Sequence, residues 1–258
     1  MDLWQPDVYE RFKAERDKPF LDLLGMLALA PGGRMVDLGC GTGELTARAH
    51  RTLGVSETVG LDRSEAMLER ARAQVASGLR FASADVATVE PDGDYDVVLS
   101  NAVLHWIPDH EHVIARWAGA LRPKGQIAVQ VPANFDSPSH TVGFEVAAEP
   151  DFEPYLREVI DAPRQRVLAP EQYSDLLFDL GFAEQHVRLQ VYLHVLPSTA
   201  DVVEWTRATF LLQFEERLEP AVYERFIDRY RARLIEVCGD RSPYPFTFKR
   251  ILLHARMA

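Results

Sequence analysis

VDLGCGTGELT, residues 36–46, is the stretch on which the reading of this chain turns. An apolar run, MVDLG at 35–39, stops at a glycine-rich turn, and a helical pattern opens at Glu44. A strand–turn–helix of this kind lets the backbone approach a ligand closely, and the helix N-terminus offers N–H groups to it. Gly39, Cys40, Gly41, Thr42 and Gly43 form the turn. The dinucleotide fingerprint GxGxxG requires glycine at position 44, where this chain carries Glu44. A glutamate opening the helix crowds and repels a pyrophosphate. That argues against a nicotinamide-dependent oxidoreductase, the out-of-class alternative.

Outward from the turn, short apolar runs alternate with helical spacing. TVGLD (58–62), LRFASAD (79–85), YDVVLSN (95–101) and QIAVQVP (126–132) read as buried strands. Helices are expected near 44–53, 64–76 and 110–121 between them. Further helices are expected at 7–28, 143–160, 170–180, 199–212 and 219–237, with a sixth strand at 186–197 and a seventh at 249–258. The β-α alternation predicts an α/β fold, a Rossmann-like seven-stranded and mostly parallel sheet with helices on both faces. The expectation is one domain over 1–258, with a helical lid at 1–30 and helical cap insertions at 133–165 and 199–240.

Carboxylates close the strands. Asp37 stands two residues before the glycines, where it can reach the amino end of a ligand. Asp62, followed by Arg63, ends strand two, where a carboxylate can accept both ribose hydroxyls. Asp85 ends strand three, where it can accept an adenine amino group, with Val86 N–H as donor to a ring nitrogen. Taken singly, a strand-end aspartate can merely cap the next helix. In register with the glycines, the three favour a nucleoside ligand. Met67 either packs on an adenine face or belongs to the core.

Composition narrows the partners. Lys+Arg 28 against Asp+Glu 39 gives a formal charge of -11, and no basic run offers a patch to nucleic acid or anionic membrane. Asn101 opens NAVL rather than an NPPY-type tetrad, which also argues against nucleic-acid bases as substrates. The N-terminal stretch is too charged for a secretory segment, and the apolar run 20–30 is too short to span a membrane. Cys40 and Cys238 form no CxxC pair, so no zinc or other metal site is expected and a reducing cytoplasm fits.

DxGxGxG, an acidic end to strand two and AD(V) after strand three resemble the motifs of class I S-adenosylmethionine-dependent methyltransferases. More of the chain is similar to the trans-aconitate 2-methyltransferases. The similarity includes Trp4, Pro6, Tyr9, Phe12, Glu15 and Arg16; NAVLHWIPDH at 101–110; LRPKGQIAVQVPANF at 121–135; Tyr192, His194, Pro197 and Ser198; and Trp205. The resemblance implies S-adenosylmethionine as cofactor, S-adenosylhomocysteine as product, and methyl-ester formation on a small carboxylic acid in the cytoplasm; a monomer is the default for this architecture. One departure stands out. Thr209-Phe210-Leu211-Leu212-Gln213 is apolar where the family carries an arginine suited to a carboxylate. The acceptor therefore stays open between a polycarboxylate and another small metabolite or natural product.

A carboxylate acceptor is ionised at neutral pH, so no catalytic base is required. His105 reads as a substrate donor, a base or a loop histidine held by backbone, and Trp106 as part of the pocket wall. Asn101 at the end of strand four joins the cofactor set. Tyr9 and Arg16 either contact the cofactor or substrate from the lid or form surface pairs, while Tyr192, His194, Lys249 and Arg250 are further substrate donors. A non-catalytic cofactor-binding module is the remaining alternative.

Overall fold

The computed structural model describes residues 13–162, 167–207 and 209–258. It divides into two compact units: Arg16–Pro132, Arg166–Gln190 and Arg250–Ala258 belong to one, Ala133–Gln165 and Val191–Lys249 to the other.

The first unit is built on the sheet. β1 (Arg34–Leu38), β2 (Glu57–Asp62), β3 (Leu79–Ser83), β4 (Tyr95–Asn101) and β5 (Leu121–Pro132) are parallel. With β6 (Phe182–Leu196) and β7 (Tyr244–Met257) they form a seven-stranded sheet of order β3-β2-β1-β4-β5-β7-β6, in which β7 runs antiparallel to β5. Strand order reverses at β1 and β4, and ligands of such sheets bind beyond the carboxyl ends of the strands at that point.

Tyr95 to Ser100 of β4 are buried without a break, so both faces of the sheet are covered. On one face Met35, Val97, Leu99, Ala128 and Leu252 pack with Phe20, Leu23 and Leu24 of α1 (Lys13–Leu24) and Ala49 and Leu53 of α2 (Glu44–Leu53). Buried Gln126 ties down the chain after α1, accepting from Ala28 N–H at 3.0 Å and donating to Ala28 O at 2.8 Å. α3 (Glu65–Ala71) and α4 (Glu111–Ala118) follow β2 and β4, and α7 (Pro170–Asp179) precedes β6. Trp117 of α4 is fully buried and donates to Val86 O at 3.3 Å.

The second unit holds α5 (Pro138–Ala147), α6 (Glu153–Asp161), α8 (Val202–Arg207), α9 (Leu212–Glu215) and α10 (Pro220–Cys238). Its core is aromatic: Phe144, Phe152, Trp205, Phe210, Phe214, Phe226 and Tyr230. Tyr230, 0% exposed, keeps its hydroxyl satisfied by donating to Ser139 O at 2.6 Å.

Several boundaries differ from the sequence reading. β5 begins at Leu121 rather than 126, because Leu121 already pairs with Tyr95 and a bulge absorbs the residues before Gln126. β6 begins at Phe182 rather than 186. β7 begins at Tyr244 rather than 249, extended by the alternation of Phe246 and Phe248 with Pro245 and Thr247. The single helix expected over 143–160 is two, α5 opening on Pro138 and α6 after a turn at 149–152. The helix expected at 199–212 splits into the 3-10 turn Thr199–Asp201, α8 and α9. Among the described residues, no helix is long and apolar enough to cross a membrane.

Candidate functional site

The turn after β1 is left-handed at each glycine, with φ 87° at Gly39, 54° at Gly41 and 75° at Gly43. Their surroundings separate their roles. A Cβ at Gly39 would lie 2.1 Å from Val103 Cγ2, and one at Gly43 would lie 2.6 Å from Phe81 Cζ. At Gly41 a Cβ would meet nothing within 4 Å. Gly39 and Gly43 allow close packing, whereas Gly41 leaves backbone open to a ligand. Gly39 N–H and Cys40 N–H both donate to Leu61 O, at 2.8 and 2.9 Å, binding the turn to β2.

The sequence expected Asp62 at the end of β2, and it is there. Its Oδ2 accepts from Gly41 N–H at 2.9 Å and its Oδ1 from Ser64 N–H at 2.9 Å. The carboxylate thus sets the turn and the start of α3, and each oxygen keeps a lone pair for a ligand hydroxyl. Asp37 is 3% exposed and its Oδ2 accepts from Thr46 Oγ1 at 2.5 Å. Burial pushes its carboxyl up to about 7; the Thr46 hydroxyl opposes this, and the nearby Asp62 adds to it. Asp85 is exposed and caps its own turn through Ala87 N–H at 2.9 Å. Val86 beside it is buried.

Cys40 is buried, and burial, then Asp37 and Asp62, push its thiol well above the usual range. It is a packing residue, not a nucleophile. Thr42 is half-buried in the turn and Arg63 is exposed. Met67, half-buried, gives its N–H to the capping Ser64 Oγ at 3.4 Å.

β4 ends in strained backbone. Ala102 has φ 59°, a conformation that costs a non-glycine residue about 1–2 kcal/mol. It is held there by Ala102 N–H donating to Gln130 O at 2.8 Å. Ser100 turns to the opposite side and donates to Leu38 O at 2.7 Å. Asn101 Oδ1 is buried and has no hydrogen-bond partner among the described residues.

Fixed charge around the turn is therefore negative, an acceptor atom is left unsatisfied, and backbone is open at Gly41. A cationic nucleoside such as S-adenosylmethionine fits this arrangement. A pyrophosphate does not.

The expected substrate residues divide between the units. In the first, His105 and Trp106 lie in the 3-10 turn Leu104–Trp106, with rings 4.7 Å apart. Trp106 is 53% exposed, so its indole is open to a ligand within this unit. Arg250 stands on β7 opposite Pro132. In the second unit Tyr192 and His194 are buried on β6, and His194 stacks on Trp205 at 4.6 Å beside Phe246 and Phe248. Lys249 forms an ion pair with Asp136, and its N–H donates to Asn134 Oδ1 at 2.6 Å. Tyr9 lies outside the described residues; Arg16 falls in α1, but its side chain also lies outside them.

Sequence reasoning missed Asn134, which is 1% exposed and whose Nδ2 has no hydrogen-bond partner among the described residues. A lone asparagine after a strand reads as a turn residue, and only its burial marks it.

Comparison with known proteins adds three findings. A methyltransferase domain family matches residues 35–125. The chain is 40% identical to a trans-aconitate 2-methyltransferase of Deinococcus radiodurans, covering 95% of each chain. It is 38% identical to one of Methylobacterium radiotolerans, over 99% of this chain and 98% of that one. Among solved structures, the YcgJ protein of Bacillus subtilis superposes with a TM-score of 0.59 at 15% identity, covering 93% of this chain and 98% of that chain. Phosphoethanolamine N-methyltransferase 2 of Haemonchus contortus, solved with S-adenosyl-L-methionine, gives 0.56 at 19% identity; the match covers 93% of this chain and 52% of that one. At such identities these structures speak for the fold.

Proposed function

Because the chain belongs to the trans-aconitate 2-methyltransferase family, we propose that it transfers a methyl group from S-adenosylmethionine to a carboxylate oxygen of trans-aconitate or a similar small polycarboxylic acid. The products are a methyl ester and S-adenosylhomocysteine. The observation that carries this reading is similarity over 95% of both chains at 40% identity, joined to a glycine turn whose surrounding charge suits a cation.

The chain's residues divide the work. Asp62 would take the ribose hydroxyls, Asp85 and Val86 N–H the adenine edge, and Asp37 and Asn101 the ammonium group. Gly41 gives the cofactor room against the backbone, with Gly39, Cys40, Thr42 and Gly43 completing the turn. When bound, the cofactor supplies an electrophilic methyl group. The protein's part is to orient the acceptor and exclude water. The acceptor carboxylate is already ionised at pH 7, so no proton needs to be removed. On this reading His105, Trp106, Tyr192, His194 and Arg250 serve as acceptor contacts rather than acid–base catalysts, and the enzyme works as a cytoplasmic monomer without nucleic acid or membrane.

A second reading, a less polar acid as acceptor, is favoured by Phe210 and Leu211. Both are buried, and Phe210 packs on His140 at 4.3 Å and Phe144 at 5.5 Å. A methyl-transfer assay over trans-aconitate, citrate, simple monoacids and phenols decides. Turnover of tri- or dicarboxylates supports the first reading and turnover of monoacids alone the second. Turnover of no acid overturns both.

A further inference from the structure

The loop between β4 and α4 is bent sharply at both ends. Ala102 has φ 59° and Asp109 has φ 49°, left-handed conformations that a non-glycine residue keeps only where its surroundings over-determine it. Between them runs the 3-10 turn Leu104–Trp106, closed by Trp106 N–H to Val103 O at 2.9 Å and Ile107 N–H to Leu104 O at 3.0 Å. The near end is pinned twice, by Ala102 N–H on Gln130 O at 2.8 Å and by Val103 lying against Gly39. Leu104, fully buried, roots the middle. The far end is anchored by His110.

His110 opens α4 and is buried, yet both of its ring nitrogens are engaged. Nδ1 lies 3.3 Å from Ile107 O, and Nε2 lies 2.8 Å from the hydroxyl of Tyr173, a fully buried residue of α7. The two rings stack at 5.7 Å with their planes 20° apart. A carbonyl oxygen only accepts, so Nδ1 carries the proton; Nε2 of the neutral imidazole then accepts, and Tyr173 donates. Burial favours this state at both partners. It lowers the His110 pKa from its ordinary 6.5, against the opposing effects of Ile107 O and the charges of Glu111 and Asp109, and it raises that of the Tyr173 phenol. The loop is thus held from α7, outside the β4–α4 connection itself.

We infer that His110 and Tyr173 are a positioning pair for the methyl acceptor: their hydrogen bond holds the far end of this loop, and with it His105 and Trp106, in the geometry that receives the acid. The inference rests on the reading of His105 and Trp106 as acceptor contacts. Two apolar side chains would fill the same space. A hydrogen bond adds a fixed distance and direction, which a loop carrying ligand contacts needs from its supporting residues. The end of the loop beside the glycine turn is pinned independently, so the pair acts on the acceptor and not on the cofactor.

Tyr173→Phe keeps the ring and removes only the hydroxyl. In the full chain at saturating S-adenosylmethionine, the variant should raise the KM of the acid turned over best roughly 5- to 10-fold, the scale of one buried neutral hydrogen bond. S-adenosylhomocysteine affinity by calorimetry should be unchanged, and hydrogen exchange should quicken across residues 104–109. His110→Leu should match Tyr173→Phe, and combining the two should cost nothing further. His110→Gln, whose amide oxygen can accept from Tyr173, should recover most of the loss. An unchanged acceptor KM with a lower melting temperature would make the pair purely structural and overturn the inference. Equal weakening of acid and S-adenosylhomocysteine would overturn it too. If wild type turns over no acid, the acceptor reading falls separately, and exchange decides: faster exchange confined to 104–109 supports the pair's hold on the loop, and unchanged exchange overturns it.

Discussion

Replacing Asp37 with asparagine should stabilise the ligand-free protein in proportion to pH while weakening cofactor binding. The folded-state carboxyl is pushed from 3.8 to about 7, chiefly by burial. Folding therefore favours its protonated form. That contribution to stability is fully present below about pH 4, declines as pH rises toward 7, and is gone above. A rise of about three units corresponds to ~4 kcal/mol of stability lost by wild type between pH 4 and 8. Asparagine keeps the shape, can still accept from Thr46 Oγ1, and carries no charge to bury. For a chain of this size ~1 kcal/mol moves the melting temperature by about 2–4 °C. The variant should thus melt on the order of 10 °C above wild type at pH 8, and only slightly above it at pH 5. Thermal melts of both proteins across that range read this directly. S-adenosylhomocysteine binding at pH 8 should weaken in the variant, since its ammonium loses an anionic partner. A melting difference that does not change with pH would refute the reasoning, because Asp37 would then be ionised throughout.

Other consequences are more local. Asp62→Ala removes the acceptor of Gly41 N–H and Ser64 N–H along with the expected ribose contact. S-adenosylhomocysteine affinity should fall at least tenfold, that is by about 1.4 kcal/mol or more, and unchanged affinity in calorimetry would contradict the placement. Gly41→Ala puts a methyl into open space at φ 54°. It should cost about 1 kcal/mol of stability from backbone strain alone, yet lose most cofactor affinity. Retained affinity would mean no ligand approaches there. In the second unit, Gly143→Ala favours the helix by propensity but sets a Cβ 2.5 Å from Phe210 Cε1. Overpacking should win, destabilising by about 1–3 kcal/mol; a higher melting temperature would show that the ring yields freely.

The sheet was legible because its central strands are continuous apolar runs ending in carboxylates. Asp37 and Asp62 could be placed at strand ends from MVDLG and TVGLD alone, whereas β3 stops at Ser83 and leaves Asp85 two residues beyond it. Glycine roles were less legible. Only packing shows that Gly39 yields to Val103 and Gly43 to Phe81 while Gly41 faces open space. Gln130 escaped sequence reading for a related reason. QIAVQVP reads as a buried strand without singling out its second glutamine, and only the structure shows its Nε2 buried with no partner among the described residues. Strand ends also drifted where the signal was not aliphatic. YPFTFK extends β7 through alternating phenylalanines that follow Pro243 and Pro245, a pattern that resembles a loop. The apolar segment Phe210–Leu212 was visible as a departure, but the burial of Phe210 and Leu211 in an aromatic core required the structure.

The central claim is that the methyl group ends on a carboxylate oxygen. The direct measurement uses S-adenosylmethionine carrying a labelled methyl group, purified protein and trans-aconitate, followed by mild base. A methyl ester hydrolyses under those conditions, so the account predicts that label appears as volatile methanol in proportion to S-adenosylhomocysteine formed. Label that remains on a non-volatile product through base treatment, or no transfer to any acid tested, would contradict it.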